Sequence, residues 1–452
     1  RKKKKLKPTA ATHFVSLIPP MQSPSKRRRK KMEVPPPPMT PDPAMLYPEK
    51  RKRKRKKEEA SPTLPSTPNQ PPKKKKPTPT AQSSPLMSLP NELLLNCVAR
   101  LSRLYYPTLS LVCKSFGTLL ASPELYKARS LLGLTEICLY VCIRCGSGRR
   151  WYTLCRKPDK IKILDDTKSK SKSSGYQLAR VPVPDITTGP GADFGGLVEV
   201  GSSIYQIDKC GVSVLDCRSH TRREAPSFPV KLWACSASVV DEKIYVAGRY
   251  RDGDGDGASL VNLFKVLDPK TQIWDSLPPN PLTANYDVYG TACIDGKLQV
   301  VTSSQVDLSY DSKQGRWDLL RSGMEKHSLP RYSYCVIENV WYSASYGDLR
   351  WYDYEVHEWK NLNGLDGLPR PKLGPFDRIG LAGYGGGKMM VFWKEEMPSG
   401  FFGSVRYHTK IWCAEISLER RSEGIWGKVE WFDPVLTSPM DIDLIKVLAP
   451  TL

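Results

Sequence analysis

The sequence predicts a mainly-β fold: a six-bladed β-propeller, preceded by a small α-helical module and, before that, a disordered basic tail. Three observations lead there. An Asp followed six residues later by Trp recurs every 42–43 residues, a stretch near residue 90 carries a helical apolar stripe, and the first 85 residues concentrate lysine, arginine and proline.

The tail explains the charge. Of the 69 Lys+Arg and 46 Asp+Glu in the 452-residue chain, 24 and 5 fall in residues 1–85, which leaves 45 against 41 for the remainder. The formal charge of +23 therefore belongs mostly to the tail, which also holds 19 of the 40 prolines. Basic blocks at 1–5, 26–31, 50–57 and 73–76 repel one another, prolines break helices, and apolar groups are too few to offset the entropy of ordering. Residues 1–84 are expected to be disordered. Two blocks read as nuclear-import clusters taken up by an import receptor: Lys26, Arg27, Arg28, Arg29, Lys30 and Lys31, then Lys50, Arg51, Lys52, Arg53, Lys54, Arg55, Lys56 and Lys57. Sequence-blind phosphate binding is the competing use, in a nuclear nucleic-acid or chromatin scaffold. The blocks carry no interleaved aromatics to stack bases, which favours import; a solvated spacer is the plain alternative. The expected location is the nucleus, with the cytoplasm second.

No run of eighteen apolar residues occurs, so no membrane helix is expected. The polybasic start lacks the apolar stretch of a secretory signal. Opening on Arg1 instead of Met is expected of a segment from a longer chain. The 12 cysteines are scattered through apolar runs and read as reduced thiols of an intracellular protein.

Composition changes at Leu86. Leu89, Leu93, Leu94, Cys97, Val98 and Leu101 share one stripe of an amphipathic helix. Pro90 suits a first turn after Ser88, and Glu92 suits the positive end of the helix dipole. Pro107 interrupts the pattern. A second helical stretch carries Leu109, Val112, Phe116 and Leu119 and is expected to end near Ser122 and Pro123. This unit, residues 85–132, has a thin core, and an apolar face left over points to a partner.

From about Thr135, Tyr/Val/Ile-rich runs alternate with turn residues over residues 135–452. Asp268 with Trp274, Asp311 with Trp317 and Asp353 with Trp359 align without gaps. A turn followed by an apolar pair recurs earlier in each unit, at Ile204-Tyr205, Ile244-Tyr245, Leu298-Gln299, Val340-Trp341 and Met389-Met390. A period of 40–54 residues with these two markers reads as a four-stranded propeller blade, with the Trp buried between neighbours. Five blades fit between about 193 and 431. Leftover strands at 139–142, 150–154 and 445–448 are expected to build a composite sixth, and Trp151-Tyr152-Thr153-Leu154 looks like the Trp end of a repeat.

Leu89-Pro90-Asn91-Glu92-Leu93-Leu94, with Val98, Leu101 and Leu111-Val112-Cys113-Lys114-Ser115-Phe116, resembles the F-box. Phe116 replaces its usual Trp, and Cys97 stands where Ile is common. The C-terminal units resemble kelch motifs, although the double glycine after each second strand is missing: Gly248 is followed by Arg249, and Val301 by Thr302. The layout is similar to that of plant F-box/kelch-repeat proteins. That resemblance implies the substrate receptor of a cullin–RING ubiquitin ligase. Leu89, Pro90, Leu93, Leu94, Val98, Leu101, Val112, Cys113 and Phe116 would dock a Skp-type adaptor, and the propeller would present a target protein.

Other chemistries are weaker. The Asp-Gly run from Asp252 begins like a calcium loop, but Leu263 stands where a bidentate Glu is required. Cys142 and Cys145 have zinc-like spacing with no second pair. The Gly-rich run before Lys388 lacks phosphate-loop spacing. Kelch propellers include copper radical oxidases, yet His220, His327, His357 and His408 stand at unrelated repeat positions and no catalytic constellation is marked. The expected protein is a non-catalytic receptor that needs no cofactor and no metal.

Overall fold

The structure, a computed structural model, describes residues 89–452 apart from 147, 159–173, 185, 188–195, 209–210, 229, 254–258, 283–285, 305, 322–332, 346, 370–377 and 400–405. The tail with its basic clusters, most of the Asp-Gly run and His327 lie outside the described residues.

Residues 197–225, 232–276, 288–321, 334–361 and 380–438 each form a four-stranded antiparallel meander, blades 1 to 5. Local turn chemistry builds them. In blades 2, 3 and 4 the first two strands meet at two consecutive residues with left-handed backbone: Asp241-Glu242, Asp295-Gly296 and Glu338-Asn339. This is the primed hairpin geometry that matches strand twist. The apolar pairs seen in the sequence open the second strand in each case.

The aspartates end the third strand. Asp268, Asp311 and Asp353, and also Asp216, accept a bond from the backbone N–H two residues on, at 2.8–3.0 Å. These are Asx turns. The fourth residue after each aspartate is left-handed: His220, Gln272, Gly315 and His357, with φ of 56°, 62°, 65° and 56°. The repeat is thus a turn more than an Asp/Trp pair. Blade 1 keeps the turn while Arg222 stands where blades 2, 3 and 4 have Trp. The histidines are corrected accordingly, because His220 and His357 occupy the same repeat position.

The tryptophans lie on outer strands and join neighbouring blades. Trp274 Nε1 donates to Pro226 O, and Trp317 Nε1 donates to Pro278 O, each at 2.8 Å and each on the link from the preceding blade. Trp317 also meets Phe264 of blade 2 edge to face. Only Trp317 is buried; Trp274 and Trp359 are half-buried because the outermost strand has one open side. Gly248 pairs with both neighbouring strands and Val301 pairs with Gly290 beside a register shift, so these blades form without the double glycine.

The ring closes as a composite. Ile442–Leu448 is the innermost strand of blade 6 and pairs antiparallel with Tyr140–Cys145, from Tyr140 opposite Leu448 to Cys145 opposite Ile442. Gly148–Arg156 and Tyr176–Arg180 follow as its third and fourth strands, and the short strand Ile186–Thr187 also pairs with Gly148–Arg156. The two ends of the β-region meet here as well, with backbone bonds of 2.8 and 2.9 Å between Glu136 and Leu452. Trp151 sits on the third strand, not the Trp-bearing fourth, so its likeness to a repeat end was superficial.

The helical module contains α1 (Asn91–Ala99), a 3₁₀ turn at Arg103–Tyr105, α2 (Tyr106–Leu109), α3 (Lys114–Leu120) and α4 (Pro123–Leu131). Pro90 caps α1, its carbonyl accepting from Leu93 and Leu94 N–H at 3.0 Å. The second helical stretch ends at Leu120, close to the expected end near Ser122 and Pro123, and a fourth helix that the pattern did not reveal starts directly after it. Ser122 Oγ accepts from Leu125 N at 3.3 Å and Pro123 opens the first turn, so the residues that mark the stop of α3 are also the start of α4.

Candidate functional site

The stripe on α1 divides into two lines, because residues 93 and 94 project about 100° apart on a helix. Leu94 and Val98, spaced i,i+4, point inward with Ala99. Leu93 and Cys97 point outward with Leu101 beyond them. Phe116 joins the inner set, packed with Leu120, Leu125 and Tyr126. Leu94, Val98 and Phe116, at 8%, 2% and 4% exposure, therefore hold the module together and are removed from its surface. Leu89, Pro90, Leu93, Leu101 and Val112 remain exposed, and Cys113 is half-buried. Between α2 and α3 the chain also presents Leu111, 85% exposed, which the site residues expected from sequence omitted.

Two arginines that no apolar pattern could reveal fix this module. Arg129, 2% exposed, donates to Ala99 O and Leu101 O at 3.0 and 2.6 Å, which satisfies carbonyls left over at the end of α1. It also reaches Leu134 O and Glu136 Oε1, both at 2.6 Å. Arg103 binds the Tyr126 hydroxyl and donates to Cys217 O of blade 1 at 3.1 Å. Tyr140 of blade 6 donates to the same carbonyl at 2.7 Å. The module shares one core with Tyr140 and Trp151 of blade 6 and with Ile204 and Leu215 of blade 1. It is fastened to the propeller instead of hanging from it.

This attachment gives the propeller two sides. The meander topology puts the first and third hairpin turns of each blade on one side, and the module meets the ring there, at Cys217 and Arg218. The opposite side carries the longer links, such as those between Ser276 and Val288 and between Asn361 and Gly380. Lys394, buried at 8%, ties blades 5 and 6 on that side, 3.3 Å from Asp443 and 3.6 Å from Asp441.

Inner strands of all six blades line an axial cavity of about 300 Å³. Ser236 and Ser238 hydroxyls lie 2.9 and 2.8 Å from Thr291 Oγ1. Burial raises the Glu199 carboxyl, against the pull of Lys446. Burial also pushes the Cys335 thiol up to about 12, so it is not a thiolate at neutral pH. Cys142 is likewise pushed up to about 12 by burial.

Two family descriptions match the chain: the F-box domain over residues 86–128, and the FKB95 kelch-repeats domain over residues 151–436. The F-box/kelch-repeat protein At5g51250 of Arabidopsis thaliana is 50% identical over 379 residues, covering 81% of this chain and 100% of its own. Arabidopsis thaliana At4g39550 is 44% identical (83% and 97% covered), and At3g06570 is 46% identical (82% and 94% covered). With the helical module, the six blades and the matched domains in agreement, this chain belongs to the F-box/kelch-repeat family.

Proposed function

We propose that the protein is the substrate-recognition subunit of an SCF-type ubiquitin ligase, its module docking a Skp-type adaptor and its propeller holding a target protein. The exposed apolar edge formed by Leu89, Leu93, Leu101, Leu111 and Val112 carries this reading. Such an edge costs solubility unless a partner covers it. The module is fixed to the turn side of the ring, so a target on the long-link side would be held at a set distance from the adaptor. The receptor makes no bond itself; it raises the effective concentration of a target lysine near a charged ubiquitin carrier.

Leu93→Asp with Val112→Asp in the full chain tests it. Each apolar contact of this kind is worth about 2 kcal/mol at an interface centre, so adaptor binding should weaken at least ~100-fold while the propeller melts unchanged. Undiminished adaptor binding would refute the reading.

The basic clusters at 26–31 and 50–57 fit an import receptor's acidic groove. Deleting residues 1–84 should move the protein from nucleus to cytoplasm; an unchanged distribution would leave the tail without that role.

A further inference from the structure

At the joint between module and ring lies a cavity of about 510 Å³, walled by the 3₁₀ turn, α2 and α3, by the third and fourth strands of blade 6, and by the Asp216 turn of blade 1. A cavity of that size suits a drug-sized molecule. Its walls are largely apolar, including Leu104, Pro107, Leu120, Ile137 and Leu154. Its lining is predominantly cationic. Arg103, Arg180 and Arg218 line it, and the one carboxylate in the lining, Glu136, is engaged by Arg129 at 2.6 Å and by Ser102 Oγ at 2.9 Å. Arg218, at the rim, also pairs with Asp216 at 3.4 Å, so the cation most in need of a counter-charge is Arg103. His220, also in the wall, is held neutral by burial, next to the Arg103 charge, with its value lowered to about 4.

Arg103 is the decisive group. It is buried, and its partners are the Tyr126 and Tyr140 hydroxyls and the Cys217 carbonyl. Among the described residues no carboxylate lies within ion-pair distance of it. A buried guanidinium compensated only by neutral dipoles favours an anion nearby.

A second observation points into the same space. Gly117 stands mid-helix in α3 with ordinary helical backbone, and a Cβ built there would meet nothing within 4 Å. Glycine at such a position costs about 1 kcal/mol relative to alanine and gains nothing from turn geometry. What it does provide is room, because it lines the cavity.

We propose that this joint is a binding site for a small organic anion, an apolar body carrying one carboxylate, sulfonate or phosphate, with the anion directed to the Arg103–Arg218 side. Such a ligand would touch the module, blade 1 and blade 6 at once and would stiffen the module against the ring. The site is independent of whether the adaptor binds.

The test uses the full chain with 8-anilinonaphthalene-1-sulfonate as probe and its neutral analogue N-phenyl-1-naphthylamine as comparison. One saturable sulfonate site per chain is expected, with the neutral analogue at least tenfold weaker. Gly117→Leu, which fills the cavity from open space, and Arg218→Glu, which reverses a rim charge, should each weaken the sulfonate at least tenfold while leaving the near-ultraviolet dichroism unchanged. Equal binding of both probes would reduce the site to an apolar crevice. Wild-type affinity in either folded variant, or no saturable binding, would overturn the proposal.

Discussion

The propeller and the helical module solve the same problem, burying apolar surface, by opposite means. The ring repeats one solution: short primed hairpins, an Asx turn with a left-handed fourth residue, and a Trp or aromatic contact to the blade before. Its stability is spread over similar parts, so no single turn is critical. The module is too small to repeat anything. It relies on single buried groups, Arg103 and Arg129, each satisfying several carbonyls and hydroxyls that would otherwise be orphaned. Redundancy in one region and concentration in the other predict different responses to damage.

The largest effect should come where the ring has no redundancy, at its closure. Deleting residues 441–452 removes the innermost strand of blade 6 and the partner of Tyr140–Cys145. Open strand edges template aggregation, and a ring of blades packed only on neighbours loses them cooperatively. The truncated chain should be insoluble on expression. A soluble, monodisperse product would show that five blades and a partial sixth suffice.

Legibility in the sequence follows the same division. Repeated features announce themselves, so five blades and their tryptophans could be read from spacing, and the composite sixth from the strands left over at both ends. Even there the Asp/Trp pair was an incomplete marker, because the backbone requirement at the fourth residue is met by His, Gln or Gly and leaves no fixed letter. In the module the stripe on α1 was visible, but which half faced inward depended on α4, whose start coincides with the stop of α3. Arg103 and Arg129 were invisible because polar residues that satisfy carbonyls have no period. The set expected to dock an adaptor correspondingly includes Leu94, Val98 and Phe116, which the module buries in its own core.

His220 belongs to both regions, as a turn residue of blade 1 lying against the module anchor, its Nε2 2.8 Å from the Tyr140 hydroxyl. Its folded value is lowered from 6.5 to about 4, chiefly by burial and then by Arg103. Between those values the unfolded chain binds more protons than the folded one, so stability falls as pH drops through this window. From pH 7.5 to pH 5 the loss from this one group is about 2 kcal/mol. His220→Asn keeps a residue that tolerates the left-handed backbone. Urea denaturation should show that the variant loses about 2 kcal/mol less than the parent over that pH change; coincident pH profiles would mean that His220 is not held neutral.

The smallest effect is the sharpest comparison, since it applies one substitution to both regions. Gly117 in α3 and Gly315 in the blade 3 turn both have open space where a Cβ would go. They differ only in backbone: Gly117 is helical, whereas Gly315 has φ of 65°. Adding a methyl group meets no atom in either place, so the outcome is decided by conformation alone. In the helix, alanine restricts the unfolded chain and prefers the native backbone, which stabilises by about 0.5–1 kcal/mol. In the turn, the same methyl crowds the following carbonyl in the left-handed region, and the cost of about 1–2 kcal/mol exceeds the entropy gained. Gly117→Ala should therefore raise the denaturation midpoint and Gly315→Ala should lower it. Equal signs would mean that one of the two sites is packed or strained in a way its open surroundings do not indicate.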